Sequence, residues 1–173
     1  MSLTQAAIVA GALIALTLIG GYLFFRAPAP ERGQQDFGTQ FGMVLKDYDG
    51  KEVHLYEFRR QVLIAYVWAS WCTYCGDEMK RLATLKKEYG DKVQIVAVNR
   101  AEPINDAKGF TDKLDVAKDM TLLLDPNDTF FKSIGGYAMP ETVFIDPSGV
   151  VVYHQRGPLD LTTLQARIKE LVH

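Results

Sequence analysis

The only two cysteines of the chain stand two residues apart, in Trp71-Cys72-Thr73-Tyr74-Cys75. They close the apolar run Val62-Leu63-Ile64-Ala65-Tyr66-Val67-Trp68-Ala69 and open a helical pattern that reaches about Tyr89. No further thiol is left to build a scaffold, so the pair reads as a dithiol redox site at a strand-to-helix junction. At a helix start, free backbone N–H groups and the positive end of the dipole stabilise the thiolate of the first cysteine. Cys72 is therefore the expected nucleophile. Cys75, one turn deeper, is the expected resolving thiol, able to close a small ring and expel a partner from a mixed disulfide. Glu78 follows Cys75 by three residues, so a helix puts its carboxylate on the same face, placed to accept the Cys75 proton.

The same residues admit other chemistry. A structural zinc needs four ligands, and His54, His154 and His173 have no paired spacing to complete a set with the cysteines. Two thiolates at this spacing suit Cu(I), which keeps a copper-delivery module open as an alternative. A third reading is a non-catalytic binding protein whose disulfide is only structural. For Glu78 the alternative is a helix-surface carboxylate paired with Lys80 or Arg81.

The stretch Val67-Trp68-Ala69-Ser70-Trp71-Cys72-Thr73-Tyr74-Cys75-Gly76-Asp77-Glu78 has two companions downstream, Met139-Pro140-Glu141-Thr142 and Ile145-Asp146-Pro147-Ser148-Gly149. Together they resemble the membrane-anchored thioredoxin-like proteins of the TlpA/ResA/DsbE group, from about residue 37 to the C-terminus. The resemblance implies an α/β thioredoxin-like fold, a central mixed sheet flanked by helices, with an N-terminal β-hairpin extension. It implies thiol-disulfide exchange outside the cytoplasm, most often as a reductant in cytochrome c maturation or copper-centre assembly. The implied partners are a disulfide-containing protein substrate and a membrane thiol-disulfide electron donor, with no cofactor. A glutamate three residues after the second cysteine recurs in the group, and Glu78 matches that place. Met139 and Pro140 match the loop in which a cis proline faces the disulfide and the preceding backbone pairs with an extended substrate. Trp71, Thr73 and Tyr74 complete the expected substrate contacts. Two departures stand out. Tyr66 occupies the place, six residues before the first cysteine, where thioredoxin has an aspartate, and Tyr74 replaces the proline common before the second cysteine.

The elements that must position these residues follow from periodicity. Val62 to Ala69 is almost unbroken in its apolarity, as in a strand covered on both faces. The helix after it shows a buried stripe at Met79, Leu82, Ala83 and Tyr89, and Val93 to Val98 reads as a second central strand reached by a right-handed crossover. That strand ends near the cysteines, so Asn99, Arg100 and Glu102 either shape the rim of the site or form a solvated turn. Ile104 to Met120 is expected as a polar helix and Thr121 to Leu124 as a strand. A short helix then carries Phe130, Phe131 and Ile134 to Gly135-Gly136. Glu141 to Ile145 and Val150 to His154 form an antiparallel pair, and Leu159 to Val172 a last amphipathic helix with Leu161, Leu164, Ile168 and Leu171 on one stripe. At the front of the domain, Phe41 to Lys46 and Glu52 to Phe58 flank Asp49-Gly50 as a hairpin, with His54 at its surface or edge. His154 receives no chemical role.

With 173 residues and a formal net charge of -2, the chain is one ordinary domain plus extras, with no basic patch to suggest a nucleic-acid partner. Ala6 to Phe25 is an uncharged apolar stretch long enough, as a helix, to span a hydrocarbon core. It lacks the basic n-region of a cleaved signal, so a retained anchor is expected. The expected organisation is a tail at 1–5, a transmembrane anchor at 6–25, a linker at 26–39 and the thioredoxin-like domain at 40–173. Arg26 and Arg32 alone would favour a cytoplasmic domain, whereas the resemblance places it on the periplasmic or extracytoplasmic side of a bacterial inner membrane, held by a single pass.

Overall fold

The computed structural model describes residues 35–172. The expected anchor at 6–25 lies outside the described residues, and among the described residues no helix is long and apolar enough to cross a membrane. Eight strands form one mixed sheet in the order β1-β8-β7-β4-β5-β6-β2-β3, where β1 is Gln35–Asp36, β2 Val44–Asp47, β3 Glu52–His54 and β4 Val62–Trp68. The others are β5 (Val93–Arg100), β6 (Thr121–Asp125), β7 (Glu141–Ile145) and β8 (Val150–Arg156). The three strands β4, β5 and β6 are parallel neighbours, and the remaining pairs are antiparallel.

Every residue of β4 is buried, because helices cover both faces of the sheet. Strand alternation divides its side chains between two cores. Ile64, Tyr66 and Trp68 pack with Met79 and Leu82 of α2 (Cys75–Tyr89), Ala107 of α3 (Ile104–Leu114) and Leu164 and Ile168 of the final helix. Leu63, Ala65 and Val67 pack on the other side with Phe41 of a short helix α1 (Gly38–Phe41) and with Phe130 and Phe131 of α4 (Thr129–Ser133). The final helix, α5 (Leu161–Leu171), is capped by Asp160, whose carboxylate accepts the Thr163 N–H at 2.8 Å.

Several boundaries differ from the sequence expectation. The folded region begins before residue 40: Gln35 and Asp36 pair with Val151 and Val150, and Phe37 is buried edge-on against Phe41 and Phe130, so the end of the expected linker belongs to the domain. The hairpin turn at Asp49-Gly50 is present, with Asp47 accepting the Asp49 and Lys51 N–H groups, but its strands are shorter than expected. Phe41 lies in α1, and after His54 the chain turns into a single helical turn that buries Leu55. The helix expected to reach Met120 stops at Leu114, where Asp115 adopts a left-handed conformation at φ 52°. On α2 the stripe includes Leu85 as well as Met79, Leu82 and Ala83, while Tyr89 is only partly covered. On α5, Leu161 faces solvent, and Leu159 fills the core from the preceding loop.

Candidate active site

Cys72 and Cys75 are joined in a disulfide with their Cα atoms 5.4 Å apart. Two successive turns bring the chain there from the end of β4: Cys72 N–H donates to the Ala69 carbonyl and Cys75 N–H to that of Cys72. Helix α2 begins at Cys75, which is fully buried, while Cys72 at 7% exposure is the one that reaches the surface. Space is tight at Gly76, where an added Cβ would come within 3.2 Å of the Phe110 ring; that ring stacks on Trp68. Trp71, Thr73 and Tyr74 are all exposed around Cys72 in sequence, so two large aromatic rings face solvent beside the disulfide.

Beneath the disulfide, Tyr66 donates from its hydroxyl to the Cys75 carbonyl at 3.0 Å, binding the first residue of α2 to the central strand. Burial, and then the neighbouring Glu78, push this phenol well above its ordinary value, so it is a neutral donor. Glu78 is fully buried and is not the surface carboxylate paired with Lys80 or Arg81 that the alternative reading describes. One of its oxygens accepts from Thr142 Oγ1 at 2.7 Å and the other from the Leu159 N–H at 2.8 Å. Arg81 donates instead to the Leu159 carbonyl, so α2 grips both sides of residue 159. Burial is the largest influence on the Glu78 carboxyl and raises it above the ordinary value, against the opposing pull of Leu159, Thr142 and Arg81.

The rim residues divide. Asn99 is buried and donates to Glu102, whose carboxylate also accepts Ser70 N–H at 2.7 Å and Ser70 Oγ at 2.5 Å. Glu102 thus ties the turn before Cys72 to the loop after β5. Arg100 points elsewhere, forming a bidentate pair with Asp128 over the Phe131 ring.

On the other side of β4, the Met139-Pro140 peptide bond is cis. Glu141, the first residue of β7, pairs with Val67, which puts the loop from Tyr137 to Pro140 at the same end of the sheet as the disulfide. Met139 packs against the core cluster that contains both cysteines. Among the described residues its own N–H and C=O make no backbone hydrogen bond, whereas the Pro140 carbonyl accepts Gly157 N–H at 2.8 Å. Tyr137, 78% exposed and over the Arg156 guanidinium, is an aromatic of this surface that sequence reasoning passed over. Glu141 and His154 were missed as well: the buried Glu141 carboxylate holds the loop backbone and lies 2.7 Å from His154 Nε2. The available signal was the Glu141-Thr142 pair directly after Pro140, two polar residues at the start of an otherwise apolar strand.

Residues 28–168 match the family model described as Redoxin. The thiol-disulfide oxidoreductase ResA of Bacillus thuringiensis subsp. konkukian (strain 97-27) is 24% identical over 163 residues, covering 92% of this chain and 93% of that protein. The thiol:disulfide interchange protein DsbE of Allochromatium vinosum is 29% identical over 116 residues, 65% of this chain and 60% of its own. Among solved structures, MTB dsbF, in mixed oxidized and reduced forms, superposes with a TM-score of 0.71 at 25% identity, covering 76% of this chain and 96% of that one.

Proposed function

The chain belongs to the Redoxin family and is a thiol-disulfide oxidoreductase of the ResA and DsbE type, and we propose that it acts as a membrane-anchored, extracytoplasmic reductant of disulfides in partner proteins. The observation that carries this reading is the pairing of a surface-reaching Cys72 and a buried Cys75 at one end of the sheet, next to a loop whose Met139 backbone makes no backbone hydrogen bond among the described residues. The uncharged stretch at 6–25 supports the anchor, and the resemblance to anchored reductants supports the side of the membrane and the direction of electron flow. Proteins awaiting haem attachment or copper insertion are the substrate class that this resemblance suggests.

In the reduced chain, the Cys72 thiolate attacks one sulfur of the partner's disulfide. A Cys72–partner bond forms, the partner's own S–S bond breaks, and its second sulfur leaves as a thiolate that takes a proton from solvent. Cys75 then loses its proton, attacks the Cys72 sulfur and closes the internal disulfide, releasing the partner's first sulfur. Two electrons have passed to the partner, and a membrane thiol donor returns them to Cys72 and Cys75. Glu78 serves this cycle as acceptor of the Cys75 proton: a carboxyl raised by burial lies nearer in proton affinity to a thiol than an exposed one does. Trp71, Thr73, Tyr74, Met139 and Pro140 receive the partner chain.

The test is the reduction potential of the Cys72-Cys75 pair in the purified chain, by equilibration with glutathione or dithiothreitol. A value near roughly -270 mV or below supports a reductant, and one near roughly -120 mV reverses the direction of electron flow. Cys72→Ser should abolish turnover of a protein disulfide; stoichiometric Cu(I) retention without turnover would favour the copper-delivery reading instead.

A further inference from the structure

Glu141 binds the loop that leads to Met139 at two consecutive peptide groups. One carboxylate oxygen accepts the N–H of Tyr137 at 2.6 Å and of Ala138 at 2.8 Å. The other oxygen faces His154 Nε2 at 2.7 Å. A carboxylate only accepts, so Nε2 carries the proton and the imidazole donates. The side chain of Glu141 is wholly out of solvent and that of His154 is 9% exposed, so no bulk water competes for the contact.

The two peptide donors hold one oxygen of the carboxylate, and the imidazole is the partner of the other, so the three contacts together set both its position and its plane. Beside His154 lies a cavity of about 210 Å³, also lined by Asp36, Gln40, Ser133 and Val143, so removing the imidazole opens a path for water toward the second Glu141 oxygen. The strand that carries His154 grips the loop elsewhere too, through Arg156 over the Tyr137 ring and Gly157 N–H on the Pro140 carbonyl.

Resting on the reductase reading, we propose that His154 is a positioning residue: by locking the Glu141 carboxylate, it fixes the peptide groups of Tyr137 and Ala138 and thereby the geometry in which Met139 meets an extended substrate strand. A substrate that pairs with the loop backbone depends on this brace. A small disulfide that touches only Cys72 does not.

The experiment compares rates of reduction of two disulfides by the reduced chain: a peptide carrying an internal disulfide, and bis(2-hydroxyethyl) disulfide. His154→Leu keeps bulk and removes the donor, and should slow the peptide reaction about tenfold through KM while changing the small-disulfide rate less than twofold. His154→Gln restores a donor and should recover most of the peptide rate. Equal slowing of both disulfides, or an unchanged peptide rate, overturns the proposal. An unsubstituted chain that reduces neither overturns the reductase reading and this inference with it. A second measurement needs no substitution. The charged groups facing His154 are Glu141 on β7, Arg156 on its own strand and Asp36 across the cavity. In an NMR titration, the Tyr137 and Ala138 amides should move with the midpoint of the His154 ring, and amides indifferent to that ring overturn the brace.

Discussion

Two carboxylates are buried against successive positions of β7, one on each face of the sheet, and they are held in different ways. Strand alternation sends Thr142 toward α2, where its hydroxyl meets Glu78, and turns Glu141 toward the opposite core, where its own carboxylate meets His154. Glu78 has two neutral donors, a hydroxyl and one peptide N–H. Glu141 has three, two of them from the loop that precedes Pro140. Burial dominates at Glu78 and drives it toward holding a proton. At Glu141 the carboxylate organises a backbone. Equal depth therefore does not make equal roles: the donors decide whether a buried acid is suited to proton exchange or to holding shape.

Truncation gives the largest test of that difference. Glu141→Ala strands two peptide N–H groups and an imidazole, and should lower stability by about 3–5 kcal/mol, since each buried donor left without a partner costs about 1–3 kcal/mol. Glu78→Ala strands one N–H and a rotatable hydroxyl, and should cost about 1–3 kcal/mol. Urea unfolding of the oxidised chain measures both, and an equal or reversed order would break the comparison.

A smaller effect is expected at Gly136, where an added Cβ runs into the Phe131 ring and carbonyl oxygen. Gly136→Ala should cost about 1–3 kcal/mol through overpacking, and should disturb the Glu141 side of the sheet alone. Amide exchange at Tyr137 against that at Leu159 reports whether the strain stays on that side.

The smallest effect is the pH dependence of Glu78. Its folded carboxyl is raised above the ordinary 4.5, so as pH rises the unfolded carboxyl ionises first and the folded one keeps its proton longer. The stability that Glu78 contributes is complete below the ordinary value and is lost as pH rises through the raised one. Glu78→Gln cannot ionise. The urea midpoint of the unsubstituted chain should therefore fall relative to this variant as pH rises through that window, and parallel profiles would contradict a raised Glu78.

What was legible in the sequence is what short spacing encodes. The apolar run into Cys72, the start of α2, the Asp-Gly hairpin turn and the residues around Pro140 each depend on neighbours within a few positions. The contacts that hold the site depend on distant ones. Glu102 reaches Ser70 across 32 positions, and Glu78 reaches Thr142 across 64. Asp115 ends α3 without a glycine or proline to announce it, so periodicity carried the expected helix too far. His154 looked like one more strand residue because its meaning lies across the strand pair, where β8 runs beside the residue that follows Pro140. The fold class was thus readable from local pattern and resemblance, while the supporting polar network needed the tertiary arrangement.

The peptide of Leu159, gripped by Glu78 and Arg81, also bears on the order in which the protein matures. Glu78 and Leu159 are 81 positions apart, with four strands and two helices between them. While the chain is being synthesised, both cysteines emerge long before this partner does, and the buried carboxylate below them lacks its peptide donor until nearly the last segment arrives. A chain cut short before Leu159 would still contain the complete dithiol motif, and would lack the peptide that seals the floor beneath it.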